Sequence, residues 1–480
     1  SDIGTISTNS AVHQCVHNRS ELFFTDSPGV LARWPNVAAN GSYVWANVVD
    51  TPTSFGATSF VVDSVVPAAW GQEADPWIHT YPENEWADTF VPVSHTAAEG
   101  NVSVVVTDPS NPNAPKYLNS SRFMGVNLKC ELDSPGEYYI DVTAMEVFVM
   151  PPSGAAEDVV MSVATGLLVG DGVSDVVIDG LEFAHTRGAA VSITGSRRVV
   201  LTSPVTPPTT GTHGIAVDGY DGGVYNCSVK FVGCVAISVT GGDRNTLTPG
   251  NMSAVGNTAS TYALHKRTYQ PGVFWTGVGN YYAHNTVNDG PHNGFLGGGN
   301  EGGGNLCLFE FNTITNMAYE SSDAGAFYTC GQAGYAWTDR GNIIRNCYFE
   351  NVTQMERSAL RFGGSVTAIY LDDQMSGWVV ANNTMVNCQY GMLLGGGRRN
   401  VVQGNSFTGG SLALHFDNRG MGWQKSSCAP GGDLWQGLEA VNYTQPPWST
   451  TFPNLETIST DHPCVPVHNT VTSNTFCNVT

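Results

Sequence analysis

The feature that most constrains this chain is a loose repeat filling its second half. Each unit is a short apolar stretch, an Asn- or Gly-rich corner, and a second apolar stretch ending in Gly. It recurs at 223–241, 280–299, 305–331, 342–373, 376–397 and 400–417. Units of roughly 20 to 30 residues with period-two alternation are the signature of a solenoid. One coil cannot bury its own apolar face, so coils must stack and share a core. Asn and Gly accept the left-handed backbone of tight corners. The pattern predicts an all-β chain, a right-handed parallel β-helix, and so places function on one lateral, outward-facing surface.

Residues 1–150 do not follow the repeat. They carry hairpin-like text at 21–36 (ELFFTDSPGVLARWPN) and 136–152 (GEYYIDVTAMEVFVMPP), so a smaller β-rich cap domain is expected there. PPSGAAED (151–158) reads as the joint, and the β-helix is expected over 151–420. Insertions at 244–270 and 332–341 interrupt the coils, and insertions on one side of a solenoid commonly build its binding face. The segment 421–480 is loop-rich; its LWQGLEAV reads as a short helix and its HNTVTSNTFCNV as one more coil.

Charge narrows the function. With 41 acidic against 20 basic residues the chain carries a formal charge of −21, which argues against nucleic acid, anionic membranes and polyanions. A lyase acting on uronate polymers would need basic side chains, and only Arg398–Arg399 cluster. Such a lyase would want a Lys or Arg base beside bound Ca²⁺. No apolar run is long enough to span a membrane. The start, SDIGTIS, fits a mature secreted chain whose signal peptide has been removed. Eleven cysteines and sequons at Asn18, Asn40, Asn101, Asn119, Asn226, Asn251, Asn351, Asn382, Asn442 and Asn478 fit an extracellular glycoprotein, although Asn-rich corners generate some sequons by chance. The odd count leaves at least one thiol outside an intrachain disulfide. Cys227, Cys347 and Cys388 fall in apolar stretches and read as buried, whereas Cys428, Cys464 and Cys477 lie where disulfides are expected.

Aligning coils by their last strand gives a register. Taking Ile369, Leu371, Met392, Leu394, Leu414 and Phe416 as inward turns Tyr370, Asp372, Leu393, Gly395, His415 and Asp417 outward. Coils stack at roughly 4.8 Å, so Asp372 and Asp417 are expected roughly 10 Å apart, with a side-chain-free notch at Gly395 that a sugar ring could enter. Asp323 lies at a strand start one coil earlier, and His292 takes the matching place before it. Glycosidic cleavage needs one carboxylic acid to protonate the leaving oxygen and a second as nucleophile or base. Crowded carboxylates raise one pKa, as a general acid requires. Against this, Asp at a β-helix corner often only caps a turn. The adjacent pair Asp372 and Asp373 at an apolar strand end is harder to explain that way.

Weaker signals point at ligands too. His292 and His415 could orient a substrate or satisfy a coil hydrogen bond. Trp337, Trp378, Trp423, Trp435 and Trp448 could stack sugars, although packing under a loop is the commoner fate of Trp. Arg340 and Arg398 are expected to pair with the acidic groove. No spacing suggests zinc, and no cofactor is expected; clustered carboxylates could hold Ca²⁺, but no EF-hand loop supports it.

Several motifs in order, LARWPN (31–36), WIHTYPENEWAD (77–88), ELDSPGEYYID (131–141), NDGPHNGFLGGGN (288–300), SDAGAFY (322–328), YLDD (370–373), LGGGRRN (394–400) and HFDNRGMGW (415–423), resemble the right-handed parallel β-helix proteins around glycoside hydrolase family 141. The resemblance implies α-L-fucosidase or xylanase activity on plant-type or algal-type polysaccharides. It places the catalytic carboxylates at Asp323 of SDAGA and at Asp372 or Asp373 of YLDD.

Two functions follow. The first is a secreted hydrolase of a neutral or mildly charged polysaccharide, with Asp323 and Asp372 catalytic and with Asp373, His292, Tyr370, His415, Asp417 and Arg398 lining the site. The second is a non-catalytic extracellular glycoprotein, a self-associating cell-wall or filament subunit on a hydrolase-like scaffold.

Overall fold

A computed structural model describes residues 3–7, 14–15, 19–25, 27–50, 59–62, 68–82, 84–97, 101–104, 121–152, 158–203, 205–206, 211–298, 303–329, 337–354 and 364–479. The repeat folds as a parallel β-helix with three strand faces per coil. The first and second faces run into one another through the strand Ala189–Thr202 and form a 21-stranded sheet, while the third face is a 9-stranded sheet. On the first face Ala324–Thr329 pairs in parallel with Val366–Leu371, which pairs with Tyr390–Gly395, which pairs with Leu412–Asp417.

The corner between the second and third faces shows why the sequence stacks. A left-handed residue opens it in successive coils: Asn226, Gly256, His284, Phe311, Asn346, Asn382, Gly404 and Ser473. The next residue turns inward, giving a column of Cys227, Asn257, Asn285, Asn312, Cys347, Asn383, Asn405 and Asn474. Backbone groups at a corner have no strand partner and must find one elsewhere. Here the amides of Asn257 and Asn285 donate to Asn285 Oδ1 and Asn312 Oδ1, both at 3.0 Å, and those of Asn383 and Asn405 donate to Asn405 Oδ1 and Asn474 Oδ1, both at 2.9 Å. Each side-chain nitrogen returns the bond to a carbonyl one coil back, as Asn285 Nδ2 does to Ala254 O. The sequons at Asn226 and Asn382 therefore coincide with corner positions. Asn40, Asn226, Asn251, Asn351, Asn382, Asn442 and Asn478 are exposed; Asn18, Asn119 and the side chain of Asn101 lie outside the described residues.

One apolar core runs through the coils, with Trp275 edge-on to Phe309 at 4.7 Å and Tyr282 stacked on Phe309 at 4.9 Å. Burial of each such side chain contributes about 1.5–3 kcal/mol. Cys227, Cys347 and Cys388 are buried free thiols inside it. Cys428 pairs with Cys464, but Cys477 stands exposed and free on the final coil, contrary to the expectation for that end of the chain. Cys15 pairs with Cys234 and ties the N-terminal segment to the helix.

The N-terminal region is built around a 7-stranded sheet, with Leu22–Phe24 and Ser27–Pro28 forming one hairpin and Glu137–Asp141 and Glu146–Val149 another. It docks on the helix through buried charge. Asp88 accepts from the backbone amides of Arg267 at 2.9 Å and Thr268 at 3.0 Å, from the Lys266 ammonium, and pairs with His79 at 2.6 Å. Arg267 forks onto both oxygens of Glu320 at 2.9 and 2.7 Å, and Arg122 meets Glu85 at 2.6 Å. The insertion at 244–270 thus serves as the docking element for the N-terminal region. At the other end the LWQGLEAV text lies in the helix Asp433–Ala440, and strands Thr470–Thr472 and Thr475–Cys477 add a final coil.

The Asn column gives a test. Asn285→Ala strips partners from the Asn257 amide and the Ala254 carbonyl, and each orphaned buried group costs on the order of 1–3 kcal/mol. Chemical denaturation should show a clearly lower midpoint than the native chain. An unchanged midpoint would mean that the column does not hold the coils.

Candidate active site

The outward row of the first face is aromatic. Phe274, Leu296, Tyr328, Tyr370, Leu393 and His415 are register neighbours on successive coils. Tyr328 and Tyr370 meet edge to face at 5.2 Å, and Tyr269 joins them with its ring 6.2 Å from Tyr328. Two residues further on, the alternation brings up acids. Leu371 pairs with Leu394 and Gly395 with Asp417, so Asp372, Gly395 and Asp417 stand in one row on neighbouring coils. Phe416 keeps its expected register but is 40 % exposed, because no strand of the first face follows Leu412–Asp417.

The notch at Gly395 is filled by protein. A Cβ at Gly395 would lie 2.5 Å from Arg419 Cζ, and the missing side chain is what admits the guanidinium. Arg419 follows the strand in a short 3₁₀ turn and folds back over it. It bonds Asp372 through Nη1, Asp373 at 3.0 Å, and Asp417 through Nε at 2.9 Å and Nη2 at 2.5 Å. Gln424 donates to Asp373 Oδ1 at 2.5 Å from the same turn. Burial alone would push the Asp417 carboxyl up, but its bonds to Arg419 and the cation's charge hold it below the ordinary range. Burial opposes the charge on Arg419, yet the bond to Asp417 and the charge of Asp372 keep the guanidinium more firmly protonated than usual. The notch is therefore a cation seat shared by three carboxylates, and the sugar-sized gap expected from the sequence is absent.

Asp323 joins this group by backbone curvature. Its φ of 50° is left-handed, and Gly325 lets the strand curl, since a Cβ there would lie 2.8 Å from Tyr370 Cβ. Tyr370 Oη donates to Asp323 Oδ1 at 3.2 Å, and Tyr328 Oη donates to Asp372 Oδ2 at 2.9 Å. Asp323 keeps an exposed surface although protein atoms crowd around it. That crowding, and next the charge of Asp372, raise its carboxyl above the usual value. Burial, then Asp372 and Asp323, push Tyr370 far up, so its phenol stays a donor. Asp373 and Gln374 are also left-handed, with φ of 40° and 66°, and consecutive strained residues of this kind concentrate at functional sites.

Other expected residues fall elsewhere. His292 is buried one layer back, its ring 4.8 Å from Tyr269, which also donates its backbone amide to His292 Nδ1 at 3.2 Å. His415 is half-buried against Tyr390. Arg398 is outside the groove: it is buried and bonds Asp461 at 2.6 Å, fastening the C-terminal segment. Arg340 is also buried, at the corner past the first face, and burial lowers its pKa. Among the described residues, no group of three or more His, Cys, Asp or Glu side chains is placed to hold a metal ion. Sequence reading missed Arg419, Gln424, Tyr269 and Tyr328. Tyr328 was within reach of the alternation rule, being level with Tyr370. Arg419 was not, because it lies outside the repeat.

No family model matches the sequence, and no curated protein matches it. A solved structure described as a glycoside hydrolase is 12 % identical, with a TM-score of 0.59 over 99 % of this chain and 81 % of that one. A Pseudomonas phage phi297 tailspike is 13 % identical over 77 % of this chain and 64 % of its own, with a TM-score of 0.30. The first likeness supports the β-helix architecture.

The cation seat and the raised acid each carry an expectation. Gly395→Ala should expel the guanidinium, and the Asp417 titration, read by carboxyl NMR, should then move up toward the ordinary range. An unmoved titration would deny Arg419 its role. Asp323 has the opposite sign. Its folded value lies above 3.8, so its favourable contribution is complete below the unfolded value and is lost as pH rises through the folded value. Asp323→Asn should therefore unfold at a higher temperature than the native chain near pH 7 and at about the same temperature near pH 3. Equal midpoints at both would contradict the raised value.

Proposed function

We propose that this chain is a secreted glycoside hydrolase that cleaves a neutral or mildly charged polysaccharide, in the α-L-fucosidase-like or xylanase-like range of the family 141 proteins its motifs resemble. The observation that carries the reading is a pair of neighbouring carboxylates in unlike surroundings. Asp323, raised by its recess and by Asp372, suits a general acid. Asp372, bonded by the Arg419 guanidinium and the Tyr328 phenol, suits a carboxylate that acts as nucleophile or base. The low identity of the glycoside hydrolase of similar fold makes that likeness supporting context only.

In this reading Asp323 protonates the departing glycosidic oxygen. Tyr370 donates to Oδ1, which leaves Oδ2 to carry the acid's proton toward the substrate. Asp372 works on the anomeric carbon directly, or through a water, according to the separation of the two carboxyls in the complex. Asp373 and Asp417 fix Arg419, and Arg419 with the Tyr328 phenol holds the Asp372 carboxyl in position. A bridging Ca²⁺ is not invoked, since the guanidinium sits where such a cation would bind. Secretion is supported by the two disulfides and by the exposed sequon asparagines. A purely structural glycoprotein would gain nothing from a strained, charged cluster of this kind, which favours the enzyme over a self-associating subunit.

Reducing-sugar release from xylans and fucosylated polysaccharides should fall by roughly 10²–10⁴-fold in Asp323→Asn and in Asp372→Asn. The alkaline limb of the rate profile should report Asp323 losing its proton above the usual carboxylate range. Full activity in either variant would end the proposal.

A further inference from the structure

Five Trp residues in the second half of the chain were candidates for sugar contact, and the structure separates them sharply. Trp337, Trp378 and Trp448 are 0 % exposed, and Trp435 is half-buried against Trp337 at 5.5 Å. Trp423 is 67 % exposed. It lies beside the carboxylate cluster, with its ring centroid 5.7 Å from Arg419 Cζ. The turn that carries it is fastened on both sides. Arg419 is anchored on Asp372, Asp373 and Asp417, Gln424 is anchored on Asp373, and the Gln424 amide closes onto Arg419 O at 2.9 Å.

An indole left in water on a segment this firmly tied forgoes the burial that large aromatics normally gain. Its place also selects a ligand. Asp372, Asp373 and Asp417 against Arg419 leave the cluster acidic even with Asp323 carrying its proton, which repels a uronate or sulfated polymer. A neutral pyranose offers the opposite match, an apolar C–H face for the indole and hydroxyls for the carboxylates.

We propose that Trp423 is a stacking platform for a neutral sugar ring of the polysaccharide, at the subsite next to the scissile bond on the Arg419 side. This rests on the hydrolase reading for the scissile bond, though the stacking itself needs no turnover. A platform that holds the ring equally in the ground state and the transition state contributes to binding rather than to turnover.

The test measures binding in the Asp323→Asn background, by affinity electrophoresis in gels holding xylan, a fucosylated neutral polysaccharide or polygalacturonate. Trp423→Ala should weaken retardation by a neutral polymer roughly tenfold, Trp423→Phe should keep most of it, and polygalacturonate should retard none of the proteins. Thermal unfolding of the variants should match the parent, since Trp423 is not packed. In the active chain Trp423→Ala should raise KM with little change in kcat. Equal retardation of Trp423→Ala and its parent by the neutral polymers would overturn the platform, and so would retardation by polygalacturonate alone or by no polymer. Selective loss of neutral-polymer binding in Trp423→Ala, with no sugar release from that polymer by the native chain, would keep the platform and remove the hydrolase reading.

Discussion

Every coil of this protein must turn corners, and each corner strands backbone groups that a strand would have satisfied. The asparagine column solves this locally, since one side chain accepts from an N–H of the previous coil and donates to a carbonyl of that same coil. A stack held this way cannot slip by a residue, because slippage would orphan the whole column and turn each strand's apolar set outward. The outward rows of the first face follow from that register. It is why Tyr328 stands beside Tyr370, and why Asp372, Gly395 and Asp417 fall in one row.

The N-terminal region adds a second constraint. Buried ion pairs are weak sources of stability but demanding about geometry, since a displaced partner leaves a charge without compensation. Asp88 with Lys266, Arg267 and Thr268, and Glu320 with Arg267, bring together the two helix segments that supply Tyr269 and Asp323. Glu85 O accepts from Ser322 N at 3.4 Å, one residue before Asp323, and Trp86 meets Tyr269 edge-on at 6.3 Å. The N-terminal region thus packs against residues beside Asp323 and Tyr269, and its docking surface is the insertion that interrupts the coils.

The cluster itself balances like charges around a single cation. Arg419 gives Asp372, Asp373 and Asp417 a common partner and leaves Asp323 outside that arrangement, under its neighbour's field. This division puts identical side chains in unlike electrostatic surroundings. It also accounts for the glycine at 395, where any side chain would compete with the guanidinium for the same space.

The period-two alternation and the Asn and Gly corners determined the parallel coils, and with them the outward row of Tyr370, Asp372 and Asp417, because side-chain direction in a strand depends only on parity. The same alternation would have yielded Tyr328. It had no hold on residues outside the repeat. Arg419 reaches the row from a turn beyond the last strand of the face, Trp423 is exposed because that turn is pinned at Arg419 and Gln424, and Arg398 is drawn away by Asp461 in a later segment. Asp323 lay in between: its place in the chain was legible, but its arrival beside Tyr370 needed a left-handed residue and the curl at Gly325. Local periodicity is a property of neighbours in sequence, whereas a guanidinium's choice among carboxylates depends on distances that exist only once the coils have stacked.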